Sequence, residues 1–167
     1  MKRTSIAAGI ACLGTLLATG ADAQVSHVQP IQNATGFCQG ATWTDDRHLI
    51  KEALDMLNYS KKPAHIVCSL ATNIGGQDIT QATLLLVNYS DHTASITCTL
   101  VPAFAEFNLG FSSISKTVTI SPEGGDGSIN WYSSENFEGN SFAALNFTCV
   151  LPQYTGVIAG SFKATES

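Results

Sequence analysis

The sequence predicts a mainly β protein, an antiparallel β-sandwich or jelly roll folded as a single domain, on three grounds. Charged residues make up only 13% of the 167 residues, and Ser and Thr are abundant, a composition that suits the solvent-facing positions of strands better than those of helices. Apolar and polar residues alternate along several short runs, as they do in half-buried strands. Clusters of Gly, Pro, Asn and Asp separate these runs at the spacing typical of sandwich turns.

Residues 1–23 have the features of a secretory signal peptide. Two basic residues precede an apolar stretch at residues 6–17, and Ala21 and Ala23 supply the small residues of a cleavage site. We therefore predict that the protein is secreted or periplasmic, with no transmembrane segment after cleavage.

The remaining chain divides into two predicted parts. Residues 24–36 are expected to form a flexible N-terminal arm, because they are uncharged apart from His27 and alternate poorly. Residues 37–167 are expected to form the β-sandwich domain, and they are numerous enough to bury a core. The net charge of −5 argues against nucleic acid as a partner, because such partners select basic surfaces.

The first regular element after the arm is predicted to be a short helix over residues 45–57. Its apolar residues recur at helical spacing, Thr44 is placed to cap its N-terminus, and two aspartates fall in its first turn. The apolar positions are Leu49, Ile50, Ala53, Leu54 and Leu57. The alternative is a strand that ends at Asn58.

Strands account for the rest of the chain. A nearly continuous apolar run at residues 82–88 predicts a strand buried on both faces. Alternating runs at residues 94–100, 114–120 and 143–151 predict strands with one buried face, and residues 157–165 alternate less regularly.

The cysteines predict two disulfides. Cys12 lies in the predicted signal peptide, and the four that remain are Cys38, Cys68, Cys98 and Cys149. An even number after an export signal is typical of disulfides in an oxidising compartment, and three pairings are open. We prefer Cys38–Cys68 with Cys98–Cys149, which closes two moderate loops. We predict no metal or cofactor, since His65 and Cys68 could bind a metal only if Cys68 were reduced.

A local repeat relates residues 58–70 to residues 88–100, with seven of thirteen positions identical at an offset of 30. A shorter echo follows at residues 147–151. One interpretation is a duplicated binding unit. We favour the other, a turn followed by a strand with an inward cysteine, used repeatedly in a disulfide-linked sandwich.

The strand endings and the last turn resemble those of a loose group of small secreted bacterial proteins. In this group strands end with an apolar residue, any residue, Cys, any residue and Leu, and the final strand follows a Cys-x-Leu-Pro turn, here Cys149 to Pro152. The resemblance implies a β-sandwich and export. It implies no activity and no site residues.

No recognised catalytic motif is present, so we predict a non-catalytic binding or interaction module of the bacterial cell envelope rather than an enzyme. An exposed aromatic ring beside Asn, Asp and Glu can stack on a sugar and bind its hydroxyls. Trp131 and Tyr132 are the first candidates for ligand binding, and Trp43 is the second. The alternative for Trp131 is that it enters the core while Tyr132 faces solvent.

Two further hypotheses remain open, with a glycan or an envelope protein as the expected partner. One is an envelope structural subunit that assembles by β-strand addition through residues 24–36. The other is a carbohydrate-active enzyme with paired carboxylates, for which Glu123 and Glu135 are candidates.

Overall fold

The computed structural model describes residues 26–28, 31–71, 78–104, 113–136 and 142–165. The predicted signal peptide, residues 1–23, lies outside the described residues. Within these ranges, no helix has the length and apolar character needed to span a membrane.

The described residues form twelve strands and three short helices. The strands are β1 (Ser26–Val28), β2 (Gln32–Asn33), β3 (Cys38–Gly40), β4 (Leu49–Lys51), β5 (Met56–Asn58), β6 (Ala64–Leu70), β7 (Asp78–Asn88), β8 (Ala94–Phe104), β9 (Ile114–Ile120), β10 (Gly125–Tyr132), β11 (Phe142–Leu151) and β12 (Thr155–Thr165). The helices are α1 (Ala34–Phe37), α2 (Trp43–Asp46) and α3 (Ser133–Asn136).

The strands form two antiparallel layers, which confirms the predicted sandwich. Sheet I has the order β3-β6-β11-β8-β9. Sheet II has the order β10-β7-β12, and the far edge of β12 pairs in turn with β5, β2 and β1, while β4 pairs with β5. A bridge between Phe142 and Ile79 links the two layers.

The core lies between the layers, and Trp131 is part of it. This side chain is fully buried, its ring centroid is 5.2 Å from that of Phe147, and its Nε1 donates to the Ile114 carbonyl at 3.1 Å. The assignment of Trp131 to ligand binding is therefore corrected, because the ring presents no face to solvent. Alternation along β10 directs it inward and leaves Tyr132 exposed.

The predicted helix over residues 45–57 is replaced by one helical turn and a hairpin. The turn is α2, capped by Thr42, whose Oγ1 accepts from the Asp45 N–H at 3.1 Å, rather than by Thr44. β4 and β5 then form the hairpin, so the alternative of a strand ending at Asn58 is confirmed. The helical spacing is coincidental, because the apolar residues of this run do not share one buried face. Leu54 is exposed in the loop, whereas Leu57 is buried in the core.

The flexible arm predicted over residues 24–36 is also corrected where the structure describes it. β1 pairs with the end of β12, β2 pairs with Ala159 and Gly160, and Ala34 is fully buried. β12 extends well past β5 and would otherwise expose unpaired N–H and C=O groups along that edge. The sandwich therefore includes these N-terminal residues.

Both disulfides join neighbouring strands of sheet I, in the preferred pairing. Cys38 on β3 faces Cys68 on β6, and Cys98 on β8 faces Cys149 on β11, with Cα atoms 4.0 and 4.1 Å apart. All four side chains are buried. Two disulfides are consistent with an oxidising compartment. Because Cys68 is oxidised, it supplies no thiolate for a metal site with His65.

Replacing Glu123 with asparagine is expected to stabilise the protein by about 0.5–1 kcal/mol. Glu123 and Gly124 have φ angles of 60° and 86° in the connection from β9 to β10. This left-handed region is costly for most side chains, and asparagine adopts it more readily than glutamate. Urea unfolding measures the gain.

The matched control for this prediction is Glu123→Ala, which removes the same charge and leaves the backbone strain. The alanine variant is expected to be no more stable than the parent. Equal stabilisation by asparagine and alanine would contradict the backbone explanation.

Candidate functional site

The repeated Asn-Tyr-Ser segments form two equivalent turns, each built on a buried asparagine. The Asn88 Nδ2 donates to the carbonyls of His92, Ile120 and Ser121 at 2.8, 3.2 and 3.1 Å. Its Oδ1 accepts from the N–H and hydroxyl of Ser90 at 3.0 and 2.6 Å. Each asparagine thus satisfies backbone groups that the turn would otherwise leave unpaired in the core.

The first copy of the turn repeats this pattern. The Asn58 Nδ2 donates to the Lys62 and Leu151 carbonyls, both at 2.8 Å, and its Oδ1 accepts from the Ser60 N–H at 2.9 Å. In both copies the asparagine is fully buried and the tyrosine that follows it is exposed. The interpretation of the repeat as a recurring turn and strand accounts for the asparagines and serines, whose side chains form the turns. It does not account for the exposed tyrosines.

A third turn, between β11 and β12, places Tyr154 between the other two tyrosines. The Tyr154 N–H donates to the Asn58 carbonyl at 2.7 Å, and the Tyr89 N–H donates to the Tyr154 carbonyl at 2.8 Å. These bonds fix the three turns side by side at one end of the sandwich. We call Tyr59, Tyr154 and Tyr89, in that spatial order, the tyrosine row.

The three rings of the tyrosine row are all exposed, by 45% for Tyr59, 40% for Tyr154 and 52% for Tyr89. Tyr59 and Tyr154 have ring centroids 5.7 Å apart and planes at 86°, an edge-to-face contact. The Tyr89 ring lies over Gly124, where an added methyl group would be 3.8 Å from it. Grouped exposed aromatic rings mark an interaction surface more often than scattered ones do.

Two carboxylates from the β4–β5 loop contact the row. The Tyr59 hydroxyl donates to Glu52 Oε1 at 3.4 Å, and the Tyr89 hydroxyl donates to Asp55 Oδ2 at 3.3 Å. The charge of Glu52 raises the pKa of Tyr59, and burial followed by the charge of Asp55 raises the pKa of Tyr89. Both shifts favour the protonated phenol, which is the form that donates to these carboxylates, and the β4–β5 loop thus contacts the two outer tyrosines of the row.

The other predicted ligand-binding residues lie apart from one another. Tyr132 is 41% exposed at the end of β10, on the β9/β10 edge of the sandwich. Trp43 is 74% exposed on α2, which contacts β3 and β6 at the opposite edge of sheet I, and the Arg47 guanidinium lies 4.7 Å from its ring centroid. The structure therefore does not bring Tyr132 and Trp43 into one site.

The acidic residues considered for catalysis are also separated. Glu135 accepts from Lys116 Nζ, which lowers the pKa of this carboxyl, and it also accepts from the Tyr132 N–H. Glu123 lies at the far end of β10, beyond Gly125. Among the described residues, no group of three or more His, Cys, Asp or Glu side chains is placed to hold a metal ion.

Comparisons with known proteins assign no family to the chain. No protein family and no curated protein sequence matches it. Among solved structures, a chain described as "CBM4 structure and function" aligns over 81% of this chain and 85% of its own length, with 6% identity and a TM-score of 0.35. A likeness this weak indicates neither a family nor a function for the chain.

Proposed function

We propose that the protein is a non-catalytic glycan-binding module, exported by way of residues 1–23, and that the tyrosine row is its binding surface. The observation that carries this proposal is the row itself, three exposed rings held in a fixed order by backbone hydrogen bonds. Export is supported by the sequence of residues 1–23 and by the two disulfides.

The chemistry of the row suits a sugar chain. A sugar ring has an apolar face of C–H groups that packs on an aromatic ring, while its hydroxyls donate to carboxylates. The tyrosines provide such faces, and the exposed carboxylate of Glu52 provides an acceptor at the hydroxyl end of Tyr59, whereas Asp55 is buried and accepts from the Tyr89 hydroxyl. Because the rings lie on successive turns, consecutive units of one chain could contact consecutive tyrosines.

The row is also prepared for binding before a ligand arrives. Tyrosine has only two side-chain torsions to fix, and here two of the three hydroxyls are already hydrogen bonded. The backbone at Tyr154 adopts φ 56°, a conformation that is costly for a non-glycine residue and is held by the bonds to the turns on either side. Prior ordering of this kind reduces the entropy that binding must offset.

Strand addition is the second function considered from the sequence, and nothing in the geometry favours it. Residues of the arm pair with β12 of their own chain, so donation to a neighbour would require β1 and β2 to leave that edge. Tyr132 and Trp43 remain alternative positions for a glycan site, and the experiment below includes both.

The experiment measures binding to insoluble cellulose, chitin, xylan and peptidoglycan, then calorimetric titration with oligosaccharides of the polymer that binds. Tyr89→Ala and Tyr154→Gly are each expected to weaken binding about tenfold or more, since each removes one ring. Glycine is chosen at Tyr154 because it adopts the positive φ without strain. Melting temperatures verify that each variant is folded.

Tyr132→Ala is the matched control, because Tyr132 and Tyr154 are exposed to nearly the same extent. Affinity within about twofold of the parent is expected for this variant and for Trp43→Ala. Loss of binding on replacing Tyr132 or Trp43, with the row variants unaffected, would move the site. Failure to bind any of the four polymers would contradict the glycan-binding proposal for these ligands.

A further inference from the structure

The tyrosine row lies beside negative charge that the protein leaves uncompensated. Glu52 and Asp55 each contact a phenol hydroxyl, and within the described ranges neither forms an ion pair. Elsewhere Glu135 forms an ion pair with Lys116, and Asp91 is hydrogen bonded to His92 Nδ1. Glu52 is exposed, so its carboxylate is accessible beside Tyr59 without a cationic partner among the described residues.

Three lysines are close in the chain but form no ion pair with these carboxylates among the described residues. Lys51 precedes Glu52, and Lys61 and Lys62 follow Tyr59, yet all three side chains are exposed and none reaches Glu52 or Asp55. Consistent with this, the charges of both carboxylates raise the pKa values of Tyr59 and Tyr89. Glu52 and Asp55 therefore act electrostatically on Tyr59 and Tyr89.

A positively charged group would be attracted to the row in two ways. It would form an ion pair with a carboxylate, and it would be drawn to the negative face of a tyrosine ring. Resting on the proposed function, we infer that the glycan bound by the tyrosine row carries protonated amino groups, as a chain of glucosamine units does. A neutral sugar would contact the rings but would form no ion pair with the exposed carboxylate of Glu52.

The experiment compares two probes of equal length, a β-linked glucosamine hexasaccharide and its fully N-acetylated counterpart. Titrations are made near pH 5.5, where glutamate and aspartate are ordinarily ionised. The glucosamine chain is expected to bind about tenfold more tightly, and raising the salt concentration is expected to reduce its affinity more than that of the acetylated chain. Tyr89→Ala should weaken binding of both probes.

Glu52→Gln is the decisive variant, since it removes the charge and keeps an acceptor for the Tyr59 hydroxyl. It should bring the ratio of the two affinities down by about threefold or more. Glu135→Gln is the control. It removes the same net charge at the end of β10 that is remote from the tyrosine row, so the ratio of the two affinities should not change.

The outcomes separate this inference from the function on which it rests. Equal affinity for the two probes, abolished by Tyr89→Ala, would overturn the amino-group inference and leave the glycan-binding proposal standing. A preference for glucosamine that Glu52→Gln and Glu135→Gln reduce equally would show a response to net charge alone, and would also overturn the inference. Binding that is indifferent to Tyr89→Ala would overturn the amino-group inference and remove the row as the site. No binding of either probe would overturn the amino-group inference alone, since the row is tested separately with the four polymers.

Discussion

Replacing Asn88 with alanine is expected to reduce the free energy of unfolding by about 3–5 kcal/mol. The two N–H groups of the buried Nδ2 reach three carbonyl oxygens, one N–H being shared, and Oδ1 accepts two hydrogen bonds; together they join the turn after β7 to the end of β9. Alanine would leave the Ile120 carbonyl and the Ser90 N–H without these partners in a buried region. An unpaired buried group costs more than the net value of the bond it made.

Equilibrium unfolding in urea tests this prediction, with two companion variants. Asn88→Asp keeps the acceptor oxygen but places a carboxylate against three carbonyl oxygens, so it should destabilise at least as much as alanine. Asn33→Ala is the matched control, since Asn33 is exposed and its side chain makes no cap hydrogen bond, and its effect should stay below about 0.5 kcal/mol. A loss of less than about 1 kcal/mol for Asn88→Ala would mean that water satisfies the freed carbonyls.

Removing the Cys98–Cys149 disulfide by a double alanine substitution is expected to cost about 4 kcal/mol. The bridge closes a loop with a sequence separation of 51 residues and joins β8 to β11 in the middle of sheet I. Its loss frees the unfolded chain, and the smaller side chains also leave space among fully buried neighbours. The measurement is again urea unfolding, made without reductant.

The Cys38–Cys68 bridge provides the comparison, because its separation of 30 residues predicts nearly the same gain in unfolded-chain entropy. Its native context differs, since β3 is a three-residue edge strand. We expect the Cys38→Ala, Cys68→Ala variant to lose less global stability and to lose hydrogen-exchange protection chiefly in β3. Equal losses, with protection in β3 retained, would show that loop entropy alone sets the effect.

The strands could be predicted from the sequence where one face is buried and the other is polar. The run at residues 114–120 matches β9 at both ends, and the run at residues 94–100 lies within β8. In both, side chains alternate between core and solvent, so the period of two is visible in the residues themselves. The preferred disulfide pairing, chosen for its loop lengths, is also confirmed. In the structure each pair of cysteines lies on two neighbouring strands of sheet I.

The elements that prediction missed depend on contacts that local periodicity does not record. Residues 45–57 contain both core and loop positions of a tight hairpin, and their apolar residues fall at helical spacing without forming a helix. The pairing of β1 and β2 depends on how far β12 extends beyond β5. In each case the deciding partner is distant in sequence.

The tyrosine row could not be assembled from the sequence for the same reason. Tyr59, Tyr89 and Tyr154 lie far apart along the chain, and only the register of the sheets brings their turns together. One signal was present, because a tyrosine occupies the same place in both Asn-Tyr-Ser copies and again precedes Thr155. Tyr132 adjoins Trp131, which made this pair the stronger prediction from sequence, yet Trp131 is in the core.

The buried asparagines also bear on where this protein can be produced. Asn58-Tyr-Ser60 and Asn88-Tyr-Ser90 both satisfy the acceptor pattern for N-linked glycosylation, Asn-x-Ser. The nitrogen that would carry the oligosaccharide is the same Nδ2 that donates to the Leu151 carbonyl in one turn and to the Ile120 carbonyl in the other. A folded chain is closed to the modification at these two positions, whereas a chain modified before folding could not form either turn. In a eukaryotic secretory pathway, glycosylation of these asparagines would therefore compete with folding. Production in a bacterial host avoids that competition.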